Sequence, residues 1–188
     1  MEGMKTVASI LKTPLKKSFF TDWILPIAFA FIISILIKEF LLFFAYVPSS
    51  SMYPTLKIGD RLLITRIYNE NTIHRGDILV FYSKEEDENM VKRVIGLPND
   101  EVKISKGIVY INGEPYPEDY IEETEEALIN QDEYQGIFQV PEGKYFFLGD
   151  SRNNSFDSRY WDDKYIDFKD IQGKARIIVF PFSNFTVF

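Results

Sequence analysis

The chain has 188 residues, 46% of them hydrophobic, with 21 Lys and Arg against 28 Asp and Glu for a formal net charge of −7. That length holds one domain with its own core plus an additional segment. Five basic and three acidic groups precede residue 49, leaving 16 basic and 25 acidic after it, a balance that excludes a phosphate-binding, nucleic-acid surface. No cysteine is present, which excludes disulfides, thiolate chemistry and cysteine metal sites. The single histidine, His74, lacks the partners of a metal site and reads as a surface residue.

The first element is an uncharged run of 15 residues, Trp23 to Ile37. As a helix it spans about 22 Å, against about 30 Å of bilayer hydrocarbon. Phe19, Phe20 and the apolar stretch from Phe40 to Val47 lengthen the contact, and Lys38 reaches the headgroups by snorkelling. Pro26 falls in the first turns, where a missing amide matters least. So much Ile and Phe without a polar face argues against a buried core helix. A cleavable signal peptide is the competing reading, but its small-residue pattern, Ala28-Phe29-Ala30, lies inside the apolar run, beyond a protease's reach. The segment therefore reads as an uncleaved signal anchor over 23–46, preceded by a basic N-terminus of residues 1–22. Four lysines before Trp23 place that N-terminus in the cytoplasm and residues 47–188 outside.

Immediately after the anchor comes Ser49-Ser50-Ser51-Met52-Tyr53-Pro54-Thr55, three hydroxyls before a proline-containing turn. By themselves the serines could simply cap that turn. Short β-type runs then alternate with Gly-Asp and Asn-Gly turns. Strands are expected at 61–68, 77–82, 90–96, 101–104, 108–111, 144–148 and 174–180, with turns at Lys106-Gly107 and Asn112-Gly113. The run Met90-Val91-Lys92-Arg93-Val94-Ile95-Gly96 embeds a lysine among aliphatic residues. A serine is a poor nucleophile until a base takes its proton, and a desolvated lysine amine is one of the few groups able to do so. Residues 114–133 hold nine acidic side chains and read as a solvated loop or short exposed helix, with a lid near a substrate cleft as the alternative. A third segment, Gly149-Asp150-Ser151-Arg152-Asn153-Asn154-Ser155-Phe156-Asp157-Ser158-Arg159, is rich in turn formers.

The three segments, in this order behind an apolar anchor, resemble the boxes of the bacterial type I signal peptidases, membrane-bound serine proteases with a Ser/Lys dyad. The resemblance spans about residues 23 to 180. It implies a mostly β catalytic domain of coiled antiparallel sheets behind one transmembrane helix, in the compact form without an extra β-domain. It implies Ser51 as nucleophile and Lys92 as general base. Ser49 then supplies a hydroxyl to the oxyanion hole and Ser51 its backbone amide, while Ser50 has no assigned role. Ser155 is implied to hydrogen-bond the lysine amine, Asp157 and Arg159 to form a supporting ion pair, and Asp150 to pair with Arg93. Three positions depart from the family pattern, Ser151, Asn99 and Asp162, and are expected to alter local loops without touching the dyad.

The same match assigns shallow apolar pockets to Val47, Pro48, Met52, Leu56, Leu62, Val80, Met90 and Val91, sized for the alanine side chains of an A-x-A site. At least a third of these eight also read as plain core residues. The peptide would bind extended, along edges near 47–49 and 90–92. No metal or organic cofactor is implied. The implied partners are preprotein signal peptides and the lipid bilayer, with the secretion translocon as a further candidate. Two rivals remain open. Self-cleaving Ser/Lys repressors share the dyad but would need a DNA-binding module where this chain has an anchor. A catalytically silent, membrane-anchored binding protein of the same family would be marked by loss of the serine or lysine, and both are present.

Overall fold

A computed structural model of the chain describes residues 20–121 and 135–188. The chain divides into two units, residues 1–38 and 39–188.

In the first unit a π-helical turn, Phe20–Ile24, leads into helix α1, Leu25–Phe40. The widened turn precedes Pro26, which has no amide to return to the carbonyl four residues back. From Thr21 to Phe40 the helix counts 20 residues, or about 30 Å. It is therefore longer than the uncharged run alone, because Lys38 and Glu39 join its last turn. None of its side chains is buried, and Ile27, Phe29, Phe31 and Ile35 are all exposed. Such all-round apolar exposure is compatible with a membrane anchor.

The helix ends at Phe40, short of the residue 46 expected for the anchor. Leu42–Tyr46 form a strand, β1, paired antiparallel with β2, Arg61–Arg66, from Leu42 opposite Thr65 to Tyr46 opposite Arg61. The reason is alternation. Phe43 and Ala45 pack against a buried cluster while Phe44 and Tyr46 face outward, the two-residue period of a half-buried strand. Arg66 also stacks its guanidinium on the Phe43 ring, 5.0 Å from the centroid.

The remaining strands are β3 (Ile78–Ser83), β4 (Glu88–Gly96), β5 (Glu101–Ser105), β6 (Ile108–Ile111), β7 (Glu114–Pro115), β8 (Gly136–Gln139), β9 (Lys144–Leu148), β10 (Ile166–Asp167), β11 (Ile171–Phe180) and β12 (Thr186–Val187). The larger sheet runs β1-β2-β11-β3-β4-β9-β10 with β12 beside β11, and the smaller runs β7-β6-β5-β8; every pairing is antiparallel. The fold class is thus the mostly β one expected. All seven anticipated strands occur, with ends moved by up to three residues. Lys106-Gly107 and Asn112-Gly113 turn with positive φ at both residues, as two-residue hairpins require. Asn99, where the family pattern has glycine, sits at φ 70°, a left-handed conformation that asparagine tolerates better than most residues.

Three buried clusters hold the β unit together. One of them, built on Val47, Met52, Leu56, Leu62, Ile64, Ile78, Val80, Ala175 and Ile178, underlies the serine segment. Leu56, Leu62 and Val80 are almost wholly inaccessible there. Five of the eight expected pocket residues, Val47, Met52, Leu56, Leu62 and Val80, therefore belong to this buried cluster.

Candidate active site

The serine segment is a turn pinned at both ends. Val47 donates to Asp60 O and accepts from Gly59 N, both at 3.0 Å, and Leu56 N donates to Met52 O at 2.8 Å. Met52 and Leu56 insert into the core, and the Tyr53–Pro54 peptide is cis. Ser51 is 8% exposed. Lys92 comes from β4, opposite Leu79 of β3, and is 3% exposed. Its Nζ donates to Ser51 Oγ at 2.6 Å. Ser49 Oγ lies 3.3 Å from the same oxygen. The Ser51 amide has no acceptor among the described residues.

A lysine so enclosed loses the hydration of its charge. Burial lowers the Lys92 ammonium to about 8; Asp157 opposes the shift, Arg159 adds to it, and Asp150 and Glu88 oppose it more weakly. The histidine is remote from this chemistry: the His74 side chain is 73% exposed and its nearest charged partner is Asp77, 3.9 Å away.

Strand alternation turns Arg93 away from Lys92. Arg93 grips Asp150 with two bonds, Nε to Oδ1 at 2.8 Å and Nη2 to Oδ2 at 2.6 Å, and donates from Nη1 to Gly76 O at 2.8 Å. Thr55 Oγ1 donates to Asp150 Oδ2 at 2.5 Å, which fastens the serine turn to the same carboxylate. Arg159 forms a second fork onto Asp157, at 2.8 and 3.0 Å. Asp157 is fully buried and also takes the Gly149 amide at 2.9 Å. Ser151 N reaches Ser51 O at 3.1 Å. One of the three departures from the family pattern therefore does touch Ser51, through a backbone amide that any non-proline residue supplies.

Ser155 differs from its expected part. Its Oγ is buried and makes no hydrogen bond, so it does not hold the Lys92 amine here. The hydroxyl abuts Gly149 instead: a Cβ built on that glycine would lie 2.1 Å from Ser155 Oγ and 2.5 Å from Ser51 O. Gly149 is therefore required by close approach, a role the sequence reading missed. Thr55, Arg152, Glu118 and Tyr120 were missed as well. Thr55 and Arg152 stood in the first and third segments without an assigned part, and Glu118 and Tyr120 carried no signal that separated them from solvated neighbours.

A cleft of about 100 Å³ opens beside the pair, lined by Val47, Pro48, Met52, Met90 and Val91 together with Tyr46, Glu88 and Asn89. Five of the eight expected pocket residues border it. Residues 88–92 of β4 pair with β3 on one side, while β9 begins only at Arg93 on the other. That leaves a strand edge open along the cleft.

The family described as signal peptidase, peptidase S26, matches residues 20–180. This chain belongs to that signal peptidase family. A probable signal peptidase I-2 of Synechocystis sp. is 42% identical over 159 residues, covering 81% of this chain and 69% of that protein. A signal peptidase I of Leptolyngbya laminosa is 37% identical over 85% of this chain and 79% of its own length. One from Bacillus licheniformis is 36% identical over 92% and 95%. A solved structure of a signal peptidase I from Enterococcus faecalis V583 is 30% identical, covers 55% of this chain and 96% of that chain, and has a TM-score of 0.46. As a signal peptidase the chain is a serine endopeptidase, a hydrolase of preprotein signal peptides.

Proposed function

We propose that Ser51 and Lys92 are the nucleophile and general base with which this signal peptidase removes N-terminal signal peptides from exported preproteins, cutting after small residues at A-x-A sites. The observation that carries the reading is the 2.6 Å contact between Lys92 Nζ and Ser51 Oγ, with both groups buried. The separation suits transfer in either sense: once neutral, the amine accepts the hydroxyl proton across it. Ser51 Oγ then attacks the scissile carbonyl, and the oxyanion is received by the Ser51 amide and the Ser49 hydroxyl. The Lys92 ammonium returns its proton to the leaving amine, which leaves an ester on Ser51. Water, deprotonated by the same lysine, hydrolyses that ester.

The forks Arg93–Asp150 and Arg159–Asp157 hold the strand and loop from which the base is presented, as supporting groups must. The substrate lies extended along the open edge of β4, with small side chains against Val47, Pro48, Met52, Met90 and Val91. The helix anchors the enzyme once in the cell membrane, N-terminus cytoplasmic and catalytic domain outside, beside lipid and within reach of the translocon. No observation favours the silent homologue, since serine and lysine are both present and in contact.

The test uses detergent-solubilised full-length enzyme, a preprotein with a single A-x-A site, and sequencing of the new N-terminus. Wild type is expected to yield one N-terminus, directly after that site, and Ser51→Ala and Lys92→Ala none. Because the two act as a unit, the double variant should lose no more than either single one. Substantial cleavage by purified Lys92→Ala overturns the dyad.

A further inference from the structure

Glu118 lies in the stretch 114–133, whose nine acidic residues read as solvent-facing. Its side chain is instead only 9% exposed and meets an Arg152 side chain that is 8% exposed. The two form a fork: Arg152 Nη1 donates to Glu118 Oε2 at 2.9 Å and Nη2 donates to Oε1. Arg152 is also tied into the third segment, its Nε donating to Gly149 O at 3.2 Å and its carbonyl accepting from Arg159 Nη2 at 2.7 Å. Two residues beyond Glu118, the Tyr120 hydroxyl donates to Glu118 Oε1 at 2.6 Å. Its ring covers the Arg93 guanidinium at 3.8 Å, close enough for a strong cation–π contact. Arg93 is the residue after Lys92, and Arg152 lies between Gly149 and Ser155. One short strap thus grips both segments that frame the Ser51–Lys92 pair.

We infer that Glu118, with Tyr120, is a positioning residue of this enzyme: its fork to Arg152 keeps that buried cation off Asp157 and holds the third segment and Arg93 in the register that lines Lys92 up with Ser51. The inference rests on Lys92 being the base. Burial acts against the Arg152 charge, and the Glu118 carboxylate is the chief group offsetting it, with Asp157 also within its field. Without Glu118, the buried guanidinium is left with Asp157 as its remaining carboxylate. That acid already serves Arg159 and the Gly149 amide. The charged groups acting on Lys92 are Asp157 and Arg159 of the third segment, Asp150 after β9 and Glu88 on its own strand. Asp157 is the strongest of the acids there, so drawing it toward Arg152 weakens the field that favours the Lys92 ammonium.

The experiment measures kcat, KM and the pH dependence of kcat/KM on full-length enzyme in detergent, for wild type, Glu118→Gln, Tyr120→Leu and Lys92→Ala. Glutamine keeps the volume and removes the charge. Its kcat is expected to fall between about tenfold and a hundredfold, the scale of a misplaced catalytic group, with KM within about twofold, and the acidic limb moves to lower pH. A folded Glu118→Gln with unchanged kcat, or with reduced kcat and an unmoved limb, overturns the inference. If Glu118→Gln does not fold, Tyr120→Leu decides: reduced kcat at constant KM supports the strap, and unchanged kcat refutes it. Cleavage by Lys92→Ala would instead overturn the Ser/Lys reading, so the two failures are distinguishable.

Discussion

A lysine ammonium enclosed beside a serine hydroxyl gives up hydration that nearby carboxylates return only in part. Lys92 titrates at about 8 for that reason, and two consequences can be measured. The first is kinetic. If neutral Lys92 is the base, kcat/KM should rise about tenfold per pH unit on the acidic side and level off above about 8. A limb centred near 6.5 that vanishes in His74→Ala would transfer the role to the histidine. The second concerns stability. The folded lysine titrates lower than the unfolded one, whose value is 10.5, so the unfolded chain binds the proton more readily. The resulting cost to folding, about 3 kcal/mol for this shift, is fully present below about pH 8 and gone above about 10.5. Lys92→Met should therefore unfold at higher denaturant than wild type at pH 6.5 and lose that advantage by pH 10.5, while having no activity. Equal midpoints at pH 6.5 would show that Lys92 is not held at a cost. If Lys92 is the base, function and stability conflict at this residue, as they often do at catalytic groups.

Among elements, β1 is the informative one, because its residues Leu42–Tyr46 continue an apolar composition that reads as membrane helix. The distinction lies in which side chains share a face. In the strand, Phe43 packs on the core and under Arg66 while Phe44 is 66% exposed. In a lipid-facing helix the two would be nearly equivalent. Phe43→Ala is expected to destabilise the β unit by about 2 kcal/mol, less than a fully buried phenylalanine would cost, and Phe44→Ala by less than about 0.5 kcal/mol. Denaturant unfolding in detergent reads both, and equal losses would refute the strand register. β4 shows the complementary lesson. Its alternation sends Lys92 to the serine and Arg93 to Asp150, so a one-residue slip would exchange the two partners.

The whole molecule joins an apolar helix to an acidic β unit, and the proposed orientation, N-terminus cytoplasmic, rests on the four lysines ahead of Trp23. A chain without cysteine makes the orientation testable by labelling single introduced thiols. Glu114→Cys, at an exposed position on β7, should react with a membrane-impermeant maleimide on intact spheroplasts. Lys12→Cys should react only after lysis. The opposite pattern would put the proposed active site in the cytoplasm.

Much of this was decided locally and so was legible in the chain. Period-two alternation and Gly-containing turns marked seven strands, because a strand's face and a hairpin's φ values depend on a few adjacent residues. The spacing of a serine turn, an embedded lysine and a turn-rich third segment marked Ser51 and Lys92 by resemblance, and the fold sets the two 2.6 Å apart. Other features depended on partners far along the chain. Pairing with β2 made a strand of Leu42–Tyr46. Arg152, 34 residues away, drew Glu118 out of solvent. Layer packing put Leu56, Leu62 and Val80 in the core rather than the cleft, and Ser155 came to lie against Gly149 with its hydroxyl unbonded. Composition states what a side chain prefers, but only its neighbours in space settle whether that preference is met, and those neighbours exist only once the sheets have assembled.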